Sequence, residues 1–487
     1  MSKRVIKINE TDNVAVALCD LEQGEIHYGV TLSEKIPNGH KFAVSDIPAG
    51  GKIIKCGNPV ASAKTDIPAG AHVHTHNAGT CLAGNLDYNY TPTEYIAKET
   101  APRTVNVYVR ENGEVGIRNE LWIIPVTGCV NGQAELILKT FKNRFGTQGF
   151  DGAFAFTHPY GNSQIASDRA RTRKVLQKIV RHPNAGGVLV VGLGDVNDFR
   201  VTLGAVNSER VKFLDCREVE DEIETGVRLM EKITETMKRD RREAADISRL
   251  KIGLKCGSSD NLSGITANPL VGRFADFITS AGGTAAFCEI PETFGAEQLI
   301  MNRAKDGETF EKIQALVNSY KDCFRENGRA VYENPSPERI ADGITTIEEK
   351  AVACLQKSGN SLVQDVVSEK EFITQNGLNL LSGPDDDMCA VTNLAASGCH
   401  MVLFTTGRGN PFGGIVPTLK ISSSHKLAEK KSNWIDFDAG SVLDTDYESQ
   451  LEKLIGLVVA VAGGKLAKNE INNARGISIT DTSTAFD

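Results

Sequence analysis

Short apolar runs broken by tight turns fill the first 78 residues. Strand-like stretches fall at 5–8, 14–18, 41–44, 52–54 and 72–76, separated by Pro37-Asn38-Gly39, Pro48-Ala49-Gly50, Gly57-Asn58-Pro59 and Pro68-Ala69-Gly70. Runs of this length bounded by turn residues predict a compact β module. The string Asp-Ile-Pro-Ala-Gly occurs at 46–50 and again at 66–70. Two copies predict equivalent turns in a pseudo-repeated β unit, not a solenoid, which needs more. Residues 79–117 read as a polar connector with one strand at 104–109. From Arg118 the pattern changes. Apolar runs at 121–126, 152–157, 188–191 and 211–215 each end in a small-residue loop, and a long amphipathic segment spans 218–242. The same grammar resumes at 251–255, 284–290, 379–382 and 401–404. Alternating strands and helices predict an α/β class with parallel sheets covered on both faces, and ligands at the carboxyl ends of the strands. The division is a small β domain (1–78), a linker (79–117), an α/β domain (118–248) and a C-terminal α/β domain (249–487). Periodicity does not decide whether the last two share a sheet.

Composition narrows the function classes. The 487 residues exceed one ordinary core, and a net charge of −8 argues against nucleic-acid or membrane-surface binding. No apolar run is long enough to cross a membrane, and Met1-Ser2-Lys3-Arg4 leads straight into a strand without a signal-type apolar stretch. The eleven cysteines lack CxxC pairs. An odd count without a framework reads as reduced thiols, so the expected location is cytoplasmic. Cys216 and Cys288 sit in apolar runs, whereas Cys129, Cys256 and Cys354 lie next to or near glycine in loop-like context. Packing thiols are the default for all of them.

Candidate chemistry concentrates in a few places. His72, His74 and His76 alternate with single residues, and an extended strand would project all three imidazoles to one side. Imidazole is both a common metal ligand and a proton carrier near neutral pH. Arg408, flanked by Gly407 and Gly409 after an apolar run, can present its guanidinium to a carboxylate. Asp260 and Glu292 stand at predicted strand ends, placed to hold a divalent metal or accept a proton, or simply to cap a turn. Gly192-Leu193-Gly194 lacks the third glycine of a dinucleotide fingerprint and carries no nucleotide prediction.

Longer strings point to a family. Gly39-His40-Lys41-Phe42-Ala43, His72 to Asn77, Gly116-Ile-Arg-Asn-Glu-Leu-Trp122, Pro125 to Gly132 and Arg181-His-Pro-Asn-Ala-Gly-Gly187 belong to this set. So do Leu262-Ser-Gly-Ile-Thr-Ala-Asn-Pro269, Phe294-Gly-Ala-Glu297, Tyr332-Glu-Asn-Pro-Ser-Pro337 and Trp434-Ile-Asp-Phe-Asp-Ala-Gly440. Across nearly its whole length the chain resembles the altronate dehydratase family of sugar-acid hydro-lyases, which includes galactarate dehydratase. The resemblance implies a SAF-type (β-clip) N-terminal domain joined to a large α/β catalytic region. It also implies dehydration of an aldonic or aldaric acid to a 2-keto-3-deoxy acid, dependent on a divalent metal (Mn2+ or Fe2+, with Mg2+ a third candidate). Two departures stand out. The family's His-x-Tyr-Gly-Cys-Ser-Gln is here His158-Pro159-Tyr160-Gly161-Asn162-Ser163-Gln164, and its Gly-Leu-Gly-Cys-Glu is here Gly192-Leu193-Gly194-Asp195-Val196. Oxygen and amide in place of sulfur favour a harder metal.

The resulting expectation assigns metal ligands to His72, His158, Asp195 and Asp260, and substrate contacts to Arg408, Asn131 and Arg118. Acid–base or cationic roles fall to His74, His76, Lys357 and Glu292. The expected partner is a small sugar acid, and exposed edges of the β module favour a homo-oligomer. Two alternatives stay open: a paralogue that binds sugar acids without turning them over, and a lyase acting on a different hydroxy acid.

Overall fold

The computed structural model describes residues 3–82, 88–161, 163–332, 335–383 and 386–479. Asn162, one of the two positions where the family has a thiol, lies outside them. The N-terminal module holds a four-stranded antiparallel sheet in the order Val5–Ile6, Val14–Ala17, Lys41–Ala43, His72–Val73. A second sheet joins Lys52–Lys55, Asn58–Ala63 and Ala78–Gly79. The two Asp-Ile-Pro-Ala-Gly turns exchange contacts reciprocally. Ala49 N–H donates to Asp66 Oδ1 and Ala69 N–H to Asp46 Oδ1, both at 2.8 Å, while Ile47 bridges Ile67. Each aspartate closes the other copy's turn, which explains why the string recurs.

The connector lies against the C-terminal region, where Tyr90 Oη donates to Ala304 O (2.8 Å) and Thr93 N–H to Asn302 O (2.9 Å). Its last part is a strand, Thr104–Val109, paired antiparallel with Val115–Gly116 and with Arg242–Asp246. The segment read as one long amphipathic stretch is therefore a helix, Glu222–Met237, followed by that strand. The helix begins where Asp221 accepts from Glu224 N–H.

Two separate parallel sheets follow. The first has the order Gly152–Ala155, Glu120–Pro125, Ala185–Gly192, Val211–Asp215. The second has seven strands in the order Val363–Val367, Gly377–Leu381, Thr284–Phe287, Lys251–Cys256, Met401–Thr406, Thr418–Ser422, Phe437–Asp438. Every pairing in it is parallel. Lys251–Cys256 comes first in sequence yet lies in the middle. The chain builds outward to one side through Thr284–Phe287, then to the other through Met401–Thr406. Its carboxyl end is thus the topological switch point, where open α/β sheets bind ligands.

The β module docks on the second region through buried charge. Lys41 and Lys55 reach Glu349 at 2.9 and 2.7 Å, with Glu349 almost fully enclosed. Burial alone would push the Glu349 carboxyl up, but the two ammonium groups overcome it and hold it well below the usual carboxylate range. The module's backbone also meets a side chain of the second region closely here. Gly39 has φ +84°, and a Cβ on it would fall 1.2 Å from Asn261 Nδ2. No residue but glycine fits that approach.

Candidate active site at the switch point

Cys256 ends the central strand and Glu289 follows the neighbouring one, so the parallel pairing brings them together. The helix Ile347–Leu355 adds Cys354, and the turn after it adds Lys357. Lys357 Nζ lies 3.0 Å from Cys256 Sγ and 2.9 Å from Cys354 Sγ, and contacts Glu289 as well. Lys255 Nζ takes the other Glu289 oxygen at 2.7 Å and Asp387 at 3.1 Å. All four members of the inner cluster are buried. Burial would strip the Lys357 proton, but the two thiols and Glu289 raise its pKa well above the ordinary value. Burial would likewise neutralise Glu289, and Lys255 with Lys357 reverses this and lowers its pKa. The hydrogen bond from Cys354 lowers the Cys256 thiol, while burial raises Cys354 well above the free thiol. The arrangement is a buried quartet: the Lys255 and Lys357 ammonium groups face the Glu289 carboxylate, and the Cys256 thiol lies against both Lys357 and Glu289.

A cavity of about 200 Å³ opens beside it, lined by Lys255, Cys256, Ser258, Glu292, Arg339 and Asp387 among others. Glu292 pairs with Lys350 at 2.9 Å and lies 3.8 Å from Arg339. Arg339 belongs to the short helix Pro337–Ala341, which forms part of the cavity wall and is held from two directions. Arg408 grips its ends through Glu338 (2.8 Å) and Asp342 (2.5 Å). From the β module, His74 Nε2 lies 3.0 Å from Ile340 O and His40 Nε2 lies 3.1 Å from Ala341 O.

The histidine run is only partly a strand. The strand stops at Val73, because Asn77 accepts from His74 N–H and donates to His72 O, closing a turn. The rings still cluster, with His72 5.3 Å from His74 and 5.7 Å from His76 between centroids. His40 joins them, its Nδ1 3.0 Å from His72 Nε2. Burial, then the neighbouring imidazoles, lowers the His72 pKa to about 3. Burial also lowers His40 and His74. Neutral rings suit hydrogen bonds to carbonyls, and none of these histidines lines the cavity.

The remaining sequence candidates separate into distinct places, and several need correction. Arg118 is not available to a substrate: its five donors go to Glu470 and to the carbonyls of Ile117, Val461 and Lys465. Arg408 is committed to two carboxylates of its own chain. Asp260 is enclosed, accepting from Ser263 Oγ (2.8 Å) and Ser423 Oγ (2.9 Å), and burial raises its pKa. His158, Asn131 and Asp195 lie at the carboxyl edge of the four-stranded sheet, not at the cavity. Asn131 Nδ2 donates to His158 O, His158 Nε2 contacts Pro125 O, and Asp195 accepts from Leu193 N–H ahead of a helix. Glu292 lines the cavity and Lys357 belongs to the quartet. Glu289, Lys255, Arg339, Asp387 and His40 were not singled out as functional residues from sequence. Glu289 gave one usable signal, an acid closing an apolar run just ahead of Pro291.

A parallel α/β sheet whose switch point holds buried acid, thiol and amine groups beside a small polar cavity is the layout of an enzyme for a small polar substrate. The comparisons with known proteins specify which class. Residues 247–485 match the D-galactarate/altronate dehydratase C-terminal family. Residues 107–238 match the D-galactarate dehydratase/altronate hydrolase second domain, and residues 3–80 the altronate/galactarate dehydratase SAF domain. The chain is 49% identical to an altronate dehydratase of Escherichia coli (strain K12), over 97% of this chain and 98% of the relative. It is 45% identical to an altronate dehydratase of Bacillus subtilis (strain 168), over 98% of both. A galactarate dehydratase (L-threo-forming) of Escherichia coli (strain K12) is 31% identical over 94% of this chain and 93% of its own. The protein is a sugar-acid hydro-lyase, a carbon–oxygen lyase with a SAF domain and a large α/β region. It belongs to the altronate/galactarate dehydratase family. No helix among the described residues is long and apolar enough to cross a membrane.

Proposed function

We propose that this chain dehydrates an altronate-like aldonic acid to its 2-keto-3-deoxy acid in the cavity at Cys256. The observation that carries the reading is that Lys255 and Cys256 line that cavity while Glu289 and Lys357, buried, pair with them, in a chain half identical to an altronate dehydratase. Loss of water requires removal of the proton beside the carboxylate and departure of the hydroxyl one carbon further on. The developing enediolate needs fixed positive charge. Lys255 and Lys357 supply it, and Lys357, held as an ammonium, acts as a cation and not as a base. Arg339 is the cavity guanidinium suited to the substrate carboxylate. Glu292 and Asp387 are the cavity carboxylates suited to proton transfer. His40 and His74 seat the Arg339 helix, with His72 and His76 behind them.

The family's divalent metal has a matching donor set here. Ligand atoms of Cys256, Glu289 and Cys354 lie within 4.8 Å of one another. The Lys357 ammonium touches all three, so an ion would have to displace it. Two sulfurs favour Fe2+ over Mn2+ or Mg2+. A bound divalent ion would polarise the substrate carboxylate and acidify the neighbouring C–H.

Assaying keto-acid formation from a panel of aldonates and aldarates, with Fe2+, Mn2+ and Mg2+ each supplied, tests the proposal. Turnover of altronate above the other acids is the expected result; a silent panel with ligand-induced thermal stabilisation would instead mark a binding protein. Arg339→Ala is expected to raise KM for altronate about 10- to 100-fold, the worth of a hydrogen bond to a charged group. Arg408→Ala would lower activity by loosening the same helix. An unchanged KM in Arg339→Ala would remove the carboxylate assignment.

A further inference from the structure

One wall of the cavity is strained. The chain leaves the central strand at Cys256 and turns through Gly257-Ser258-Ser259-Asp260. Glycine at 257 answers a close approach, since a Cβ there would fall 2.4 Å from both Asp387 Oδ2 and Phe404 Cζ. Ser258 is the reverse case. Its φ of +53° lies in the left-handed region, which glycine enters freely and serine seldom does. Of the four non-glycine residues with positive φ among the described residues, it alone lines this cavity. Neighbouring hydrogen bonds impose the conformation. Gly257 N–H donates to Thr405 O (3.0 Å), and Ser258 O accepts from both Gly407 N–H (3.1 Å) and Arg408 N–H (3.0 Å). Behind the turn, Asp260 Oδ1 accepts from Ser263 N–H at 2.9 Å. Ser258 itself is exposed, and its hydroxyl has no hydrogen-bond partner among the described residues.

We propose that Ser258 recognises a hydroxyl on the carbon chain of the sugar acid and so sets the preference for polyhydroxylated acids. This rests on the reading of the cavity as the dehydration site. A carboxylate is common to every organic acid, so a guanidinium contact alone cannot tell a sugar acid from a plain one. A second polar contact at a fixed distance from it can. The loop of Arg408 supplies that fixed relation. Its backbone N–H holds the Ser258 carbonyl, while its guanidinium holds Glu338 and Asp342 on either side of Arg339. Ser258 and Arg339 are thus tied through one residue, and both line the cavity. A serine hydroxyl donates and accepts, so it can meet a sugar hydroxyl in either sense. Strain of this kind persists only where the surroundings over-determine it, and it gathers at binding and catalytic sites. Glycine at 258 would relieve the backbone and lose the hydroxyl.

Two substitutions in the full chain separate recognition from a structural role. Ser258→Ala removes the hydroxyl and keeps the strain; Ser258→Gly removes both. Each should bind altronate about three- to tenfold more weakly by calorimetry, the worth of one neutral hydrogen bond, and lose kcat/KM by the same factor. Their stabilities should part. Ser258→Gly should unfold about 1–2 °C above the wild type, and Ser258→Ala at the wild-type temperature. A serine that serves only the fold predicts instead that affinity follows stability, with the glycine variant at least as active as the wild type. That pattern, or wild-type affinity for altronate in Ser258→Ala, would overturn the proposal. Hexanoate, the same chain length without hydroxyls, should inhibit wild type and Ser258→Ala equally. A loss for hexanoate as large as that for altronate would also overturn it. Should another acid of the panel be turned over in place of altronate, the comparison is made on that acid. A three- to tenfold loss there keeps the role of Ser258 and discards the altronate reading alone; no loss discards the role.

Discussion

The Glu289→Gln variant is expected to lose at least about a hundredfold in kcat on altronate, the cost of removing one preorganised electrostatic partner in a water-excluded site. The amide keeps the shape of the carboxylate and removes only its charge. One oxygen of Glu289 now serves Lys255, the other serves Lys357, and both approach Cys256 N–H. A glutamine can satisfy one of these ammonium groups through its carbonyl and must turn an N–H towards the other. The quartet then carries an excess positive charge with no solvent to spread it, and Lys357 is driven to give up its proton. Stability should fall by about 3–5 kcal/mol, as for any buried pair that loses one member. Thermal unfolding and steady-state rates, measured side by side, check both figures. A folded variant with undiminished kcat would show that the chemistry happens somewhere other than this switch point. If a divalent ion occupies the trio, the same variant should also lose it, visible as reduced metal content after dialysis.

Much of this architecture is legible from the chain alone, for a specific reason. In a covered parallel sheet each strand is apolar on both faces, so runs such as 188–191 and 401–404 stand out, and each must end in a loop of small residues. The twin turns at 46–50 and 66–70 are legible because each repeats an aspartate in position to close its counterpart. Register between strands is not legible. Nothing local says that Lys251–Cys256 pairs with Thr284–Phe287 on one side and Met401–Thr406 on the other, and only that pairing makes neighbours of Cys256 and Glu289. Lys255 was invisible too, since a polar residue in a strand ordinarily faces solvent. The histidine run announced itself by composition, yet its action at a distance depends on a helix more than 250 residues later in the chain: His74 touches Ile340, not the cavity. Arg408 shows the opposite failure. Flanking glycines do present its guanidinium, but the carboxylates it meets are Glu338 and Asp342 of its own chain.

Docking of the N-terminal module carries the other large effect. Glu349→Ala should destabilise the protein by about 3–5 kcal/mol at neutral pH, because it leaves Lys41 and Lys55 buried without their carboxylate. The pH dependence distinguishes this charge effect from lost packing. The folded Glu349 carboxyl is held well below its ordinary value of 4.5, so its contribution is complete above that pH in the wild type. Below it the unfolded chain binds a proton that the folded protein refuses, and the contribution drains at about 1.4 kcal/mol per pH unit. Urea unfolding of wild type and variant should therefore differ most at pH 7 and converge as the solution is acidified towards pH 3. A gap that stays constant would assign the loss to the cavity left by the side chain. The undocked module should also release the Pro337–Ala341 helix, since His40 and His74 hold it only while the module is seated. Loss of affinity for altronate should accordingly accompany the loss of stability, with KM rising before kcat falls.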